Sequence, residues 1–260
     1  MSSIKTYNVT KETVIAQPVA LQTRTYKPVS NFELIDLTLG GIQKSGFKLD
    51  QESYSMAREG NVANGKYTLS NVSDGEMQIQ VGWQNSYDKS ISLKWAMGVH
   101  IFICSNGAIS GDMGAFKRKH EGEIQTYTPY AISEYIKTAG DVFMQMQKER
   151  EKMKEMLLTK RITAEIIGRM FIEEKFIEST QLNIIKRELE HPTFDYRSPG
   201  SLWELYQYTT YSMKEIHPTL WMQDHIEAHK FFIEAAGIIN PPYEPIRNQL
   251  NLFDETLTYV

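Results

Sequence analysis

The sequence predicts an α+β fold: an antiparallel meander of about three strands with a short flanking helix, followed by a mostly helical second half. Three observations carry that expectation. Apolar residues alternate with a period of two before residue 130 and recur every three and four residues after it. Charge divides at the same place, with 13 basic and 12 acidic residues through Tyr130 against 15 and 20 beyond it, so the halves carry +1 and −5. Thr128-Pro129-Tyr130 reads as a break between them, giving a sheet-rich unit over residues 1–130 and a helical unit over 131–260 packed as one body with the first.

In chain order, Ser30-Asn31-Phe32-Glu33 has the spacing of a capping box and opens a helix of about ten residues, weakened at Gly40-Gly41. A strand over residues 66–72 closes at Ser73-Asp74-Gly75. Met77, Ile79, Val81 and Trp83 then alternate with Gln78, Gln80, Gly82 and Gln84, predicting a half-buried strand with an amide-rich outer face. Asn85 through Ser90 supplies turn residues. Ile91, Leu93, Trp95, Met97, Val99, Ile101 and Ile103 make the longest alternation, running through Cys104, with Gly98 marking a bend. Residues 105–122 read as a glycine-rich loop carrying Lys117-Arg118-Lys119-His120, the most basic short run of the chain.

Beyond Tyr130, the stripe Ile132, Tyr135, Ile136, Ala139, Val142, Phe143 and Met146 predicts one long helix over residues 131–158. Helices follow over residues 163–176 and 180–189. Another opens at the capping box Ser201-Leu202-Trp203-Glu204 and ends before His217-Pro218, and a last one spans residues 220–236 and stops at Gly237. The proline-containing tail reads as extended.

A composition of 41% hydrophobic and 23% charged residues is that of a folded chain, and a net charge of −4 leaves any nucleic-acid contact to a local patch. With Cys104 alone, neither a disulfide framework nor a multi-cysteine zinc site is expected. No long apolar run suggests a membrane span, so the expected setting is the cytoplasm.

The chemistry-bearing patterns are few. His225 and His229 share a helical face, but the glutamate of a zincin would directly follow the first histidine, whereas here Glu227 comes one later. No metal site is expected. Cys104, ending an apolar strand, reads as buried rather than nucleophilic. Phosphate-loop, dinucleotide and Gly-x-Ser-x-Gly patterns are all absent, so no cofactor is expected and the chain reads as non-catalytic. Lys117, Arg118, Lys119 and His120 suit phosphates, and Trp83, Tyr87, Trp95, Phe102 and Tyr127 are aromatics on which bases could stack. Asn85, Asp88, Asn106 and Gly107 read as residues that shape the flanking loops.

Several motifs together resemble a known family. Tyr26-Lys27-Pro28-Val29-Ser30-Asn31, Asn85-Ser86-Tyr87-Asp88-Lys89-Ser90, Gly98 through Gly107, Lys119-His120-Glu121-Gly122 and Leu202-Trp203-Glu204-Leu205-Tyr206 with Thr209 are similar to a phage- and plasmid-borne family catalogued as domain of unknown function 932. Members often carry histidine where this chain has Tyr87. The resemblance implies a setting but no catalytic residues. By fold-level analogy, the order helix, meander and long helix is also that of phage single-strand annealing proteins. The resulting expectation is a protein of phage or plasmid DNA metabolism that binds single-stranded DNA as a homo-oligomer, using the basic loop and the polar face of the meander. The alternative is a protein-interaction module, such as an inhibitor of a host defence system, whose acidic half docks on a partner.

Overall fold

The computed structural model describes residues 6–102, 106–109, 115–216 and 220–239. The fold is α+β. Seven described strands form one antiparallel sheet: β1 (Tyr7–Val9), β2 (Leu49–Ala57), β3 (Val62–Ser73), β4 (Met77–Ser86), β5 (Leu93–Ile101), β6 (Asn106–Ile109) and β7 (Ala115–Arg118). They follow chain order across the sheet. Strand β6 pairs with the Gly98 to Ile101 end of β5 and β7 with its Leu93 to Ala96 end, so the two short strands share one rank.

The expected meander is β3–β4–β5, the centre of this larger sheet. Met77, Ile79, Val81 and Trp83 of β4 and Leu93, Trp95, Met97 and Val99 of β5 are fully buried on one face, as their alternation requires. Trp83 lies over Gly65, its register partner on β3, where a Cβ would come within 2.6 Å of the indole. That close approach is the reason for a glycine inside a strand. The helices on this face are α2 (Asn31–Lys44), α3 (Ile124–Lys137) and α4 (Ala139–Glu155). Trp95 stacks with Phe116 and Tyr135 at 6.1 and 6.0 Å between centroids, and its Nε1 donates to Thr38 of α2.

The opposite, amide-rich face is buried too, which corrects the half-buried strand expected from sequence. Gln84 Nε2 donates to Asn64 Oδ1 at 2.9 Å and Lys94 Nζ donates to Gln84 Oε1 at 3.2 Å, a polar ladder across three strands. Helix α8 (Trp221–Ile239) lies over its β5 end, with Met222 and Ile226 against Ala96. The meander's polar face is therefore not a free surface for a ligand.

Helix α2 begins as expected, with Ser30 Oγ accepting from Glu33 N at 3.0 Å, but runs 14 residues. Gly41 does not end it. It faces Ile136 of α3, whose Cδ1 would lie 2.6 Å from a Cβ there. The single long helix expected over residues 131–158 is two, parted at Thr138. Pro129 lies inside α3, so the proposed border between residues 130 and 131 falls mid-helix. One hydrophobic core takes in residues from Val14 to Ala236. The remaining helices are α1 (Lys11–Ile15), α5 (Lys160–Gly168) with a π-helical extension, α6 (Ser179–Glu190) and α7 (Leu202–Ser212). Helix α8 continues through Gly237. Ile103, Cys104, His217, Pro218 and residues 240–260 lie outside the described residues.

Helix α4 is pinned to the β3–β4 turn by charge. Asp74 accepts from the backbone N–H groups of Glu76 and Met77, from Gln147 at 2.8 Å and from Arg150 at 2.7 Å. Burial alone would raise the Asp74 carboxyl, but these hydrogen bonds outweigh it and hold it at about 2. A carboxylate with a depressed folded pKa stabilises above its unfolded value and loses that contribution as pH falls through the folded one. We therefore expect Asp74→Asn to lower stability at neutral pH by about 1–2 kcal/mol, after allowance for solvent screening. The deficit should vanish between about pH 4 and pH 2, as read from denaturant midpoints across that range.

Candidate nucleic-acid interface

Three of the motifs singled out in the sequence meet at the end of β4. Asn85 is fully buried, and its Nδ2 donates to Val29 O at 2.9 Å and to Asn31 Oδ1 at 2.8 Å. Tyr87 OH accepts from Asn31 N at 2.8 Å, and Tyr26 OH donates to Ser86 O at 3.2 Å. The Tyr26 to Asn31 stretch is thus laced to the strand end by both side-chain and main-chain partners. Asp88 shapes the turn that follows: its Oδ1 accepts from Ser90 N, and its Oδ2 meets Arg58 Nε at 2.9 Å. Lys89 takes a left-handed backbone at φ 63° and carries its ammonium 4.8 Å above the Tyr26 ring.

The third motif closes the site from the other side. Lys27 N donates to His120 O at 2.7 Å, and Gln125 Nε2 at the start of α3 donates to Pro28 O at 2.9 Å. The His120 imidazole packs against Tyr26, 5.5 Å between centroids. Only 6% of His120 is exposed, and neither ring nitrogen has a hydrogen-bond partner. Burial pushes its pKa below the usual histidine value, so the ring is neutral near pH 7. Between the two walls is an open pocket of about 320 Å³, lined by Thr25, Tyr26, the Lys89 to Ser92 turn, Lys119, His120 and Glu121.

Strand geometry divides the basic run. Residues 115–118 are strand β7 rather than loop, so adjacent side chains point to opposite faces. Arg118 lies on the Phe116 side, its guanidinium 3.9 Å from the Tyr127 ring centre. Lys117 lies on the other side, toward Lys94. There burial and the Lys117 charge bring the Lys94 ammonium down to about 8, while Asp224 and Glu227 of α8 act the opposite way. Lys117 thus faces a neighbourhood that already holds carboxylates. Lys119 is exposed at the pocket rim, whereas His120 is interior rather than a surface cation. Asn106 and Gly107 begin β6 opposite Ile101 and His100; they too are strand, not loop.

Trp83 and Trp95 are fully buried and unavailable for stacking. Tyr127 is partly exposed, and Tyr130 is 67% exposed three residues later on the same helix. Tyr26, Lys89 and Ser90 were not among the site residues expected from sequence. They reach His120 from chain segments roughly 90 and 30 residues away, and no spacing pattern encodes that meeting.

The paired histidines of α8 point inward. His229 Nδ1 lies 3.1 Å from Tyr206 OH, and its Nε2 lies 3.1 Å from Glu149 Oε2, a buried brace joining α4, α7 and α8. Burial works to raise the Glu149 carboxyl, but its hydrogen bonds to His229 and Gln145 prevail and lower it. Burial, with the nearby Lys66 charge, drives His225 down to about 3. Among the described residues no group of three or more His, Cys, Asp or Glu side chains is placed to hold a metal ion, and no helix is long and apolar enough to cross a membrane.

The sequence pattern of a family described as Domain of unknown function (DUF932) matches residues 19–224. No curated protein and no solved structure matches the chain. All the motifs that build the pocket fall within the matched residues.

Removing the Asn85 amide strands two acceptors and frees the Tyr26 to Asn31 wall. Asn85→Ala is expected to lower stability by about 1–3 kcal/mol. Hydrogen exchange should quicken at residues 26–31 before the centre of the sheet is affected.

Proposed function

The chain belongs to the DUF932 family, and from that premise we propose that it is a non-catalytic protein of phage or plasmid DNA metabolism that binds single-stranded DNA. The observation that carries this reading is the placing of Lys89 and Lys119 on opposite sides of one pocket, beside Arg118 over Tyr127. Cations that follow a backbone, interleaved with aromatic faces that accept bases, are the elements of sequence-tolerant single-strand binding. The strand runs along the outer β7 edge of the sheet from Arg118 to the pocket rim. In this reading the protein works in the bacterial cytoplasm as a homo-oligomer, in which copies repeat the contact along the strand.

Binding of a labelled 40-nucleotide strand and of its duplex at two salt concentrations tests the proposal. We expect the single strand to be preferred, with affinity falling steeply as salt rises. The triple variant Lys89→Ala/Arg118→Ala/Lys119→Ala should weaken binding by roughly tenfold or more and reduce the logarithmic salt slope by about two. Lys117→Ala, on the far face, should leave affinity nearly unchanged. Absence of binding by folded protein, or binding indifferent to the triple variant, overturns the reading and directs the search to a protein partner for the acidic helical half.

A further inference from the structure

We propose that the sheet face beneath the start of α8 is a second surface for the phosphate backbone of a single strand, and that residues 221–228 are a removable acidic cover on it, with Asp224 and Glu227 in place of phosphates. As a DNA surface this rests on the single-strand reading above; as a cover it stands on the packing of α8.

Strand register lays out the face. Asn8, Ser55, Asn64, Gln84, Lys94 and Lys117 are successive partners across six strands, so one rank of the sheet is polar from edge to edge. Asn64 Nδ2 donates to Ser55 Oγ at 3.2 Å, and the Gln84 and Lys94 hydrogen bonds described above continue the line. The next rank sets Lys66 beside Gly82, Ala96 and Ala115. Cations gather here although the chain carries a net charge of −4. Burial and the Lys214 charge lower the Lys66 ammonium; burial, then the charges of Lys66 and Lys214, lower His100. Together with Lys94 beside Lys117, this is a set of mutually repelling groups, and a phosphate backbone is the ligand that relieves such repulsion.

Helix α8 is attached unequally along its length. Ala228, Phe231, Phe232 and Ala236 belong to the main core, with Phe232 5.0 Å from the Tyr206 ring and His229 in its brace to Tyr206 and Glu149. Before Ala228 the apolar contact is small: Met222 and Ile226 meet Ala96 and Ala115 in a cluster separate from that core. The charges beside it are held at a cost. Burial and the Glu227 charge raise the Asp224 carboxyl to about 6, although Lys94 pulls the other way and Glu178 adds to the rise. Unlike charges whose desolvation outweighs their attraction make a weak contact, and apolar residues would close the same face more firmly. Lifting the start of α8 about Ala228 exchanges two carboxylates for the phosphates of a strand. Since the strand has to lift the cover, the affinity of this face is reduced by the fraction of molecules that are open, and the outer β7 path dominates in the parent protein.

Thiol labelling of the whole protein reads the cover, and binding of the 40-nucleotide strand reads the face. In a Cys104→Ser background, Ala96→Cys places a thiol beneath Met222, and Ala63→Cys places one in the main core. A reagent reaches the core thiol only through wider unfolding, so the Ala96→Cys thiol should label faster by about tenfold or more. Met222→Ala trims the apolar contact without changing charge; it should speed that labelling again and tighten strand binding by about fivefold. Asp224→Asn/Glu227→Gln should tighten binding by about tenfold. The control Glu165→Gln/Glu234→Gln, which changes net charge equally at exposed positions, should gain much less. Lys66→Gln should cancel the gain of either cover variant. Equal labelling of the two thiols overturns the cover. A gain no larger than that of the control, or one indifferent to Lys66→Gln, overturns the surface. Strand binding that is lost in the outer triple variant and unimproved by Met222→Ala leaves the single-strand reading standing and removes only this inference. Binding by the cover variants alone, cancelled by Lys66→Gln, supports this face and removes the outer path. Binding by neither parent nor cover variants overturns both.

Discussion

The site depends on one buried amide. Asn85 ends β4 inside the protein and uses its two N–H bonds to hold the Val29 carbonyl and the Asn31 side chain. Asn31 is the first residue of α2, and the segment before it carries Tyr26, one wall of the pocket. One side chain therefore sets both where the helix begins and where the pocket wall stands. The shape of the residue explains the choice. A carboxylate at this position would face two acceptors, and an aliphatic residue would leave them unpaired in a dry environment. Tyr87 completes the tie by accepting from the Asn31 backbone, a use that a hydroxyl serves well.

Strand geometry explains why the most conspicuous run in the sequence splits. Lys117, Arg118 and Lys119 look like one patch because they are consecutive, and in a flexible loop they could have acted as one. Strand β7 ends at Arg118 and sends Lys117 and Arg118 to opposite faces of the sheet edge, while Lys119 follows just beyond it. One cation goes to a neighbourhood already populated by Asp224 and Glu227, one goes to Tyr127, and one reaches the pocket rim. The strand itself was hidden by the glycines around it, which read as loop. Its pairing with β5 is a long-range fact that local composition does not carry.

Much of the architecture was nevertheless legible. The meander showed itself because β4 and β5 bury one face completely and their apolar residues must alternate. Helix α2 and helix α7 announced their starts through Ser30 and Ser201, each of which accepts from the N–H three residues on. The elements that escaped were those without a sustained apolar pattern. Strand β2 is exposed through its first five residues and offers little alternation. The break at Thr138 was invisible because the apolar stripe of α3 continues in phase into α4. The amide face of β4 misled in the opposite sense: glutamines suggest solvent, yet here Gln84 donates to Asn64 and accepts from Lys94 beneath α8. Of the pocket, the motifs were legible and their convergence was not.

The lacing of the pocket wall to strand β4 and helix α2 has a thermodynamic consequence. A site on a loosely attached loop can fill and empty while the body of the protein is indifferent. Here the wall cannot come apart without breaking hydrogen bonds at a strand end and a helix start, so opening the site draws on the stability of the fold. Whatever occupies the pocket adds by mass action to the stability of the whole native state. The melting temperature of the entire chain then becomes a gauge of occupancy, through which an unknown occupant can be recognised before its chemistry is known.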